Sequence, residues 1–160
     1  MLFPFRKPNP PVIRALRSDR AEPCAAIHAE SFSHPWSPAE FEALLSNKTS
    51  IGAAAIDAPS DELRGFALSR LAADEAEILT IAVHKAYRNR GIGRALMIDT
   101  LSRLAASHVR SLFLEVERTN QSAIALYSRM GFREVGQRRG YYQKQDGSTA
   151  TALVLRKDLT

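Results

Sequence analysis

The 160-residue chain contains one cysteine, Cys24. A single thiol closes no internal disulfide, so stability must come from buried apolar surface, for which this length is ample. The histidines, His28, His34, His84 and His108, lie far apart, and none forms a Cys/His group at zinc spacing, so no metal is expected. No unbroken apolar run reaches bilayer length. Residues 1–11 are broken by Pro4, Pro8, Pro10 and Pro11 and hold no apolar stretch of signal-peptide length. The expectation is a cytoplasmic protein without membrane contact. Internal repeats and low-complexity segments are also missing, which leaves one domain over 12–160 behind a flexible proline-rich arm, 1–11.

What is present is a basic surplus of +5. It favours anionic partners such as a polyphosphate cofactor. The basic residues are scattered and no aromatic-basic ribonucleoprotein signature accompanies them, so direct nucleic-acid binding is not expected.

Hydrophobic spacing and breakers give the order of elements. Residues 12–16 read as a short strand, and Ser18-Asp19 offers a cap for a helix containing Cys24, Ala25, Ala26 and Ile27. Ser37-Pro38-Ala39-Glu40 has the makings of a capping box with proline at the first helical position, predicting a helix from Pro38 to Leu45. Strands follow near 50–56, 65–71 and 77–83. Ile92, Leu96, Leu101 and Leu104 recur at helical spacing, and 111–116 alternates as a strand. Asn120 can cap the next helix, which Gly131 is suited to end. Residues 132–135 and 140–143 look extended, and Asp146-Gly147 marks a turn into a last strand over 149–155.

Between the strand ending at Val83 and the helix opening at Ile92 lies Arg88-Asn89-Arg90-Gly91-Ile92-Gly93. A helix N-terminus offers unpaired amides and a positive dipole end, and glycine lets an anion approach the backbone; the same glycines also serve a plain tight turn. The lysine of a P-loop and the third glycine of a dinucleotide fingerprint are both missing.

The loop matches Arg/Gln-x-x-Gly-x-Gly/Ala, and with its flanks from Thr80 to Leu96 it resembles the diphosphate-binding motif of the GCN5-related N-acetyltransferase (GNAT) superfamily. Pro35-Trp36-Ser37, Leu114-Glu115-Val116, Asn120 with Tyr127, and Tyr141-Tyr142 resemble a smaller group within it, the bacterial ribosomal-protein-alanine N-acetyltransferases. This resemblance implies an α/β fold: a single domain whose central mixed, mostly antiparallel seven-stranded sheet is flanked by about four helices. It implies acetyl-CoA as the acetyl donor and, as acceptor, a protein with a free N-terminus, most specifically the N-terminal alanine of small-subunit ribosomal protein number eighteen. Acetylation of another terminus, a lysine or a small amine, and a non-catalytic acetyl-CoA-binding module, are the alternatives.

The resemblance also distributes roles. Backbone groups of Ile81, Ala82 and Val83 would align the pantetheine arm. Arg88, Asn89, Arg90, Gly91, Ile92, Gly93 and Arg94 would form the diphosphate loop, with Asn120 against the cofactor. Glu115, inside an apolar strand, is the candidate general base, with Glu77 in reserve, and Tyr127 the candidate acid for the departing thiolate. Trp36, Tyr141 and Tyr142 would line the acceptor side. Packing roles compete for several of these: Tyr127 fits a core position, Asn120 a helix cap, and Glu115 with Glu117 a solvated strand face.

Overall fold

Ser37 begins its helix as the capping box requires. Its Oγ accepts from the Glu40 amide at 3.1 Å while the Glu40 carboxylate accepts from the Ser37 amide at 3.0 Å. The computed structural model describes residues 9–143 and 146–160, without the side chains of 141–143. The expected arm, 1–11, therefore falls mostly outside the described residues. In chain order the elements are β1 (Val12–Ala15), α1 (Ala21–Ser31), α2 (Pro38–Leu45), β2 (Ser50–Ile56), β3 (Leu63–Ala72), β4 (Glu75–Val83), α3 (Ile92–Ala106), β5 (Ser111–Glu117), α4 (Gln121–Arg129), β6 (Arg133–Gln143) and β7 (Thr149–Asp158).

The strands form one seven-stranded sheet in the order β1-β2-β3-β4-β5-β7-β6. Every neighbouring pair is antiparallel except β4 with β5, which the α3 crossover makes parallel. The expected fold class is the one observed.

Helices cover both faces, and the side-chain period of two sorts the core accordingly. Ala54, Ile56, Phe66 and Ala82 face α1 and α2, where they meet Ile27 and Phe41. Ala53, Ala55 and Ala67 face the other way, toward Ile92 and Leu96 of α3. Alanines on β2 let both helical layers approach the sheet closely. Around β5 the core is larger, with Leu112, Leu114 and Val116 packed against Met97, Leu104, Tyr127 and Leu155. Cys24 is fully buried in α1, and burial pushes its thiol up to about 12, so it packs and does not act as a nucleophile. No helix among the described residues is long and apolar enough to cross a membrane.

One local expectation needs correction. Ser18 and Asp19 do not cap α1 through their side chains. They form a 3-10 turn, Ser18–Arg20, that runs straight into the helix, and Arg20 reaches away to the Asp61 carboxylate at 2.7 Å. As expected, residues 133–135 and 140–143 are extended, and both belong to one strand, β6. Its pairing with β7 is interrupted twice, once beside Gly140, whose φ of +67° bends the strand locally.

Candidate active site

The parallel pair at the centre of the sheet is short. β4 and β5 are paired only through Glu75/Ser111, Ala76/Leu112 and Glu77/Phe113, after which the strands diverge. From residue 78 onward β4 keeps β3 alone, and from residue 114 β5 keeps β7 alone. The direction of the freed backbone follows from the ladder. The His84 amide donates to the Arg64 carbonyl at 2.7 Å, and in an antiparallel ladder bonded and unbonded pairs alternate. Ala82 is thus committed to Phe66, whereas Ile81 and Val83 turn their N–H and C=O groups into the opening. The Val83 carbonyl does point there, since it accepts from Arg88 Nε at 3.1 Å. Of the three expected backbone contributors, Ile81 and Val83 present main-chain groups, and Ala82 contributes lining.

Next to this opening the chain builds an anion cradle. His84 Nδ1 accepts from the Ala86 amide at 3.1 Å and starts a 3-10 turn, Lys85–Tyr87. Asn89 (φ +61°) and Gly91 (φ +80°) then take left-handed backbone that swings the chain into α3. The first bond of that helix runs from the Ala95 amide to the Gly91 carbonyl at 3.0 Å, and no side chain caps its start. The amides of Ile92, Gly93 and Arg94 therefore have no partner within the helix. A Cβ placed on Gly93 would meet nothing within 4 Å, so the space over these amides is open.

The cleft at this point holds about 1090 Å³. Its charged lining is all basic: Arg88, Arg94, Arg129 and Lys157. Unpaired amides, open space and basic walls fit a diphosphate, with the main-chain edge at Ile81 and Val83 available to an amide-bearing arm. Arg90 lies outside the lining, its guanidinium 5.8 Å from the Tyr87 ring centroid.

A second cleft of about 880 Å³ adjoins the first, sharing Ser31 and Ile81 with it. Glu115 of β5 and Tyr127 of α4 both line it. The Glu115 side chain is only 12% exposed, and its Oε1 lies 3.0 Å from Arg138 Nε, so it is not a solvated strand-face residue. Tyr127 is buried, edge-on to Phe132 at 5.7 Å, and burial raises its pKa, which keeps the phenol protonated. No hydrogen bond among the described residues engages its hydroxyl.

Asn120 lines the same cleft and caps α4, its Oδ1 accepting from the Ala123 amide at 3.2 Å. The cap uses only the side-chain oxygen, and the amide donors remain for a ligand. Trp36 closes the far wall, stacked on His28 with ring centroids 4.8 Å apart. Tyr141 and Tyr142 fall in β6, and their side chains lie outside the described residues. Glu77, the reserve base, is half-exposed beside Arg70 at 3.5 Å and lines neither cleft.

Sequence reading missed Ser31, His28, Arg138 and Lys157. Each reaches the site from an element remote in the chain and sits in no motif, so no local signal marked it.

The family profile "Acetyltransferase (GNAT) family" matches residues 21–132. The chain is 37% identical over 125 residues to the Escherichia coli [ribosomal protein bS18]-alanine N-acetyltransferase, covering 77% of this chain and 82% of that one. A crystal structure of the E. coli ribosomal-protein-S18-alanine N-acetyltransferase superposes with a TM-score of 0.86 at 29% identity, covering 93% and 94% of the two chains. The Mycobacterium tuberculosis N-alpha-acetyltransferase RimI is 37% identical over 158 residues, 94% of each chain. Arabidopsis thaliana NAA60 in complex with acetyl-CoA has the same fold, with a TM-score of 0.80, 25% identity and coverage of 92% and 97%. With the cradle and the splayed strands, these likenesses make acetyl-CoA the donor, and the chain belongs to the GNAT family of acetyltransferases.

Proposed function

We propose that this acetyltransferase acts on the N-terminal α-amine of a protein, with the N-terminal alanine of small-subunit ribosomal protein number eighteen as its favoured acceptor. The observation that carries the proposal is the meeting of two clefts at Ile81 and Ser31, one a basic cradle with free amides, the other lined by Glu115 and Tyr127. A pure acetyl-CoA-binding module has no use for the second cleft or for its carboxylate and phenol. The names of the E. coli and M. tuberculosis relatives support an α-amine, and the former supports alanine.

Bound acetyl-CoA supplies an activated acetyl thioester; the chain's own residues do the rest. The amides of Ile92, Gly93 and Arg94 hold the diphosphate, and the outward groups of Ile81 and Val83 align the arm along β4. Glu115 takes the proton from the incoming ammonium, directly or through a water. An α-amine, with an unperturbed pKa of about 7.7–8.0, needs only modest help to become neutral at pH 7. Tyr127, protonated because it is buried, gives its proton to the departing thiolate. Asn120, at the start of the helix that carries Tyr127, contributes its amide donors to the same cleft. Trp36 bounds the acceptor peptide.

Initial rates on a peptide with a free N-terminal alanine, compared with the same peptide blocked at its terminus but keeping a lysine, test this reading. Turnover confined to the free terminus is expected; equal turnover of the blocked peptide would contradict it.

A further inference from the structure

His28 is 3% exposed in the last turn of α1, yet it borders the acceptor cleft. Its ring is held from several directions. Phe32 stacks on it at 4.3 Å and Trp36 at 4.8 Å, and Phe41 meets it edge-on at 5.3 Å. The Trp36 amide donates to its Nδ1 at 3.1 Å. An Nδ1 that accepts a hydrogen bond carries no proton, so the neutral ring has its proton on Nε2. Burial lowers the pKa of the ring, against a smaller opposing influence of Glu40, and this favours the neutral form.

The consequence is an N–H donor of fixed direction. Among the described residues Nε2 has no hydrogen-bond partner, and it is not one of the side-chain atoms sealed from solvent without a partner. Nearly every buried donor is paired. His28 lines the acceptor cleft, so a ligand bound there can offer this donor an oxygen. It cannot serve as a base there, because Nε2 could accept a proton only if Nδ1 already carried the ring's own, and the Trp36 amide prevents that.

We propose that His28 is a peptide-recognition residue, whose Nε2–H donates to a main-chain carbonyl oxygen in the first residues of the acceptor. The inference rests on the α-amine reading given above. A peptide held by its N-terminal amine beside Glu115 brings its own first carbonyls into this cleft, whereas a simple alkylamine has no such oxygen. His28 thereby favours peptide termini over other amines, with Trp36 both stacking on the ring and fixing its tautomer.

Three proteins decide it: wild type, His28→Phe, which keeps a flat ring in the stack, and His28→Gln, whose amide nitrogen replaces the Nε2 donor. Acetyl-CoA affinity, measured by calorimetry, shows that each variant is folded. The readout is kcat/KM for an alanyl peptide divided by kcat/KM for isopropylamine. We expect this ratio to fall on the order of tenfold in the Phe variant, through the KM for peptide, and to recover in part with Gln, as one lost hydrogen bond requires. An unchanged ratio in His28→Phe, or equal loss with Gln and Phe, overturns the proposal for His28 while leaving the α-amine reading intact. Wild type that fails to turn over any alanyl peptide overturns both.

Discussion

Arg88 Nη2 donates to Ser31 Oγ at 2.9 Å, joining the glycine loop, the proposed diphosphate site, to the end of α1 across 57 residues of sequence. Because Arg88 Nε also holds the Val83 carbonyl at 3.1 Å, one guanidinium ties together the helix over the acceptor cleft, the open edge of β4 and the loop. Its role in the fold is to position the cradle. Arg88→Ala should raise the KM for acetyl-CoA roughly fivefold to tenfold, the worth of about two hydrogen bonds, with kcat less affected. Lysine, lacking the forked donors, should not restore it. Steady-state kinetics with acetyl-CoA varied check this.

The two loop glycines should behave differently. Gly91 has a φ of +80°, so Gly91→Ala should cost about 1 kcal/mol in a denaturant titration. Gly93 is helical with open space beside it, so Gly93→Val should leave stability within about 0.5 kcal/mol while its side chain fills the cradle and weakens acetyl-CoA binding at least tenfold. Unchanged affinity in Gly93→Val would place the diphosphate elsewhere.

Tyr127→Phe removes one oxygen and keeps the ring packed against Phe132. Acetyl-CoA affinity should stay near wild type and turnover should fall about a hundredfold, the usual worth of a positioned acid. Because burial raises the Tyr127 pKa, the phenol stays protonated through neutral pH, and the proposed acid role should not be lost there. Single-turnover rates across pH measure both. Glu115→Gln should likewise spare cofactor affinity and lower turnover, and unlike Tyr127→Phe it should show a larger defect at low pH, where the amine is more fully charged.

Burial of His28 also links stability to pH. Its folded-state pKa lies below the ordinary value of about 6.5, so the unfolded chain takes up a proton at a pH where the folded chain does not. Stability from the neutral ring is intact above about pH 6.5 and is lost as pH falls through the folded value. Melting temperatures should therefore drop as pH falls below about 6.5, and His28→Phe should flatten that drop. A slope identical in the two proteins would show that other groups cause it.

Where local chemistry dictated structure, the chain was legible. The Ser37 capping box, Asn120 as a cap, Gly131 at φ +91° after α4 and the turn at Gly91 into α3 all depend on residues within a few positions of one another. Legibility failed where partners are distant. Nothing near Ala82 reveals that Phe66 occupies its backbone while Ile81 and Val83 are turned outward; that depends on sheet register. The tie from Arg88 to Ser31, the pairing of Glu115 with Arg138 and the tautomer of His28 are likewise products of tertiary contact. Ser18 and Asp19 show the converse, two good capping residues left unused because a 3-10 turn delivers the chain into α1.

The most direct measurement is mass spectrometry of one peptide bearing a free N-terminal alanine and an internal lysine, incubated with the protein and acetyl-CoA. One acetyl group on the alanine nitrogen is predicted, with the lysine untouched and the product nearly absent with Tyr127→Phe. Acetyl on the lysine alone, or none on the peptide, would contradict the account.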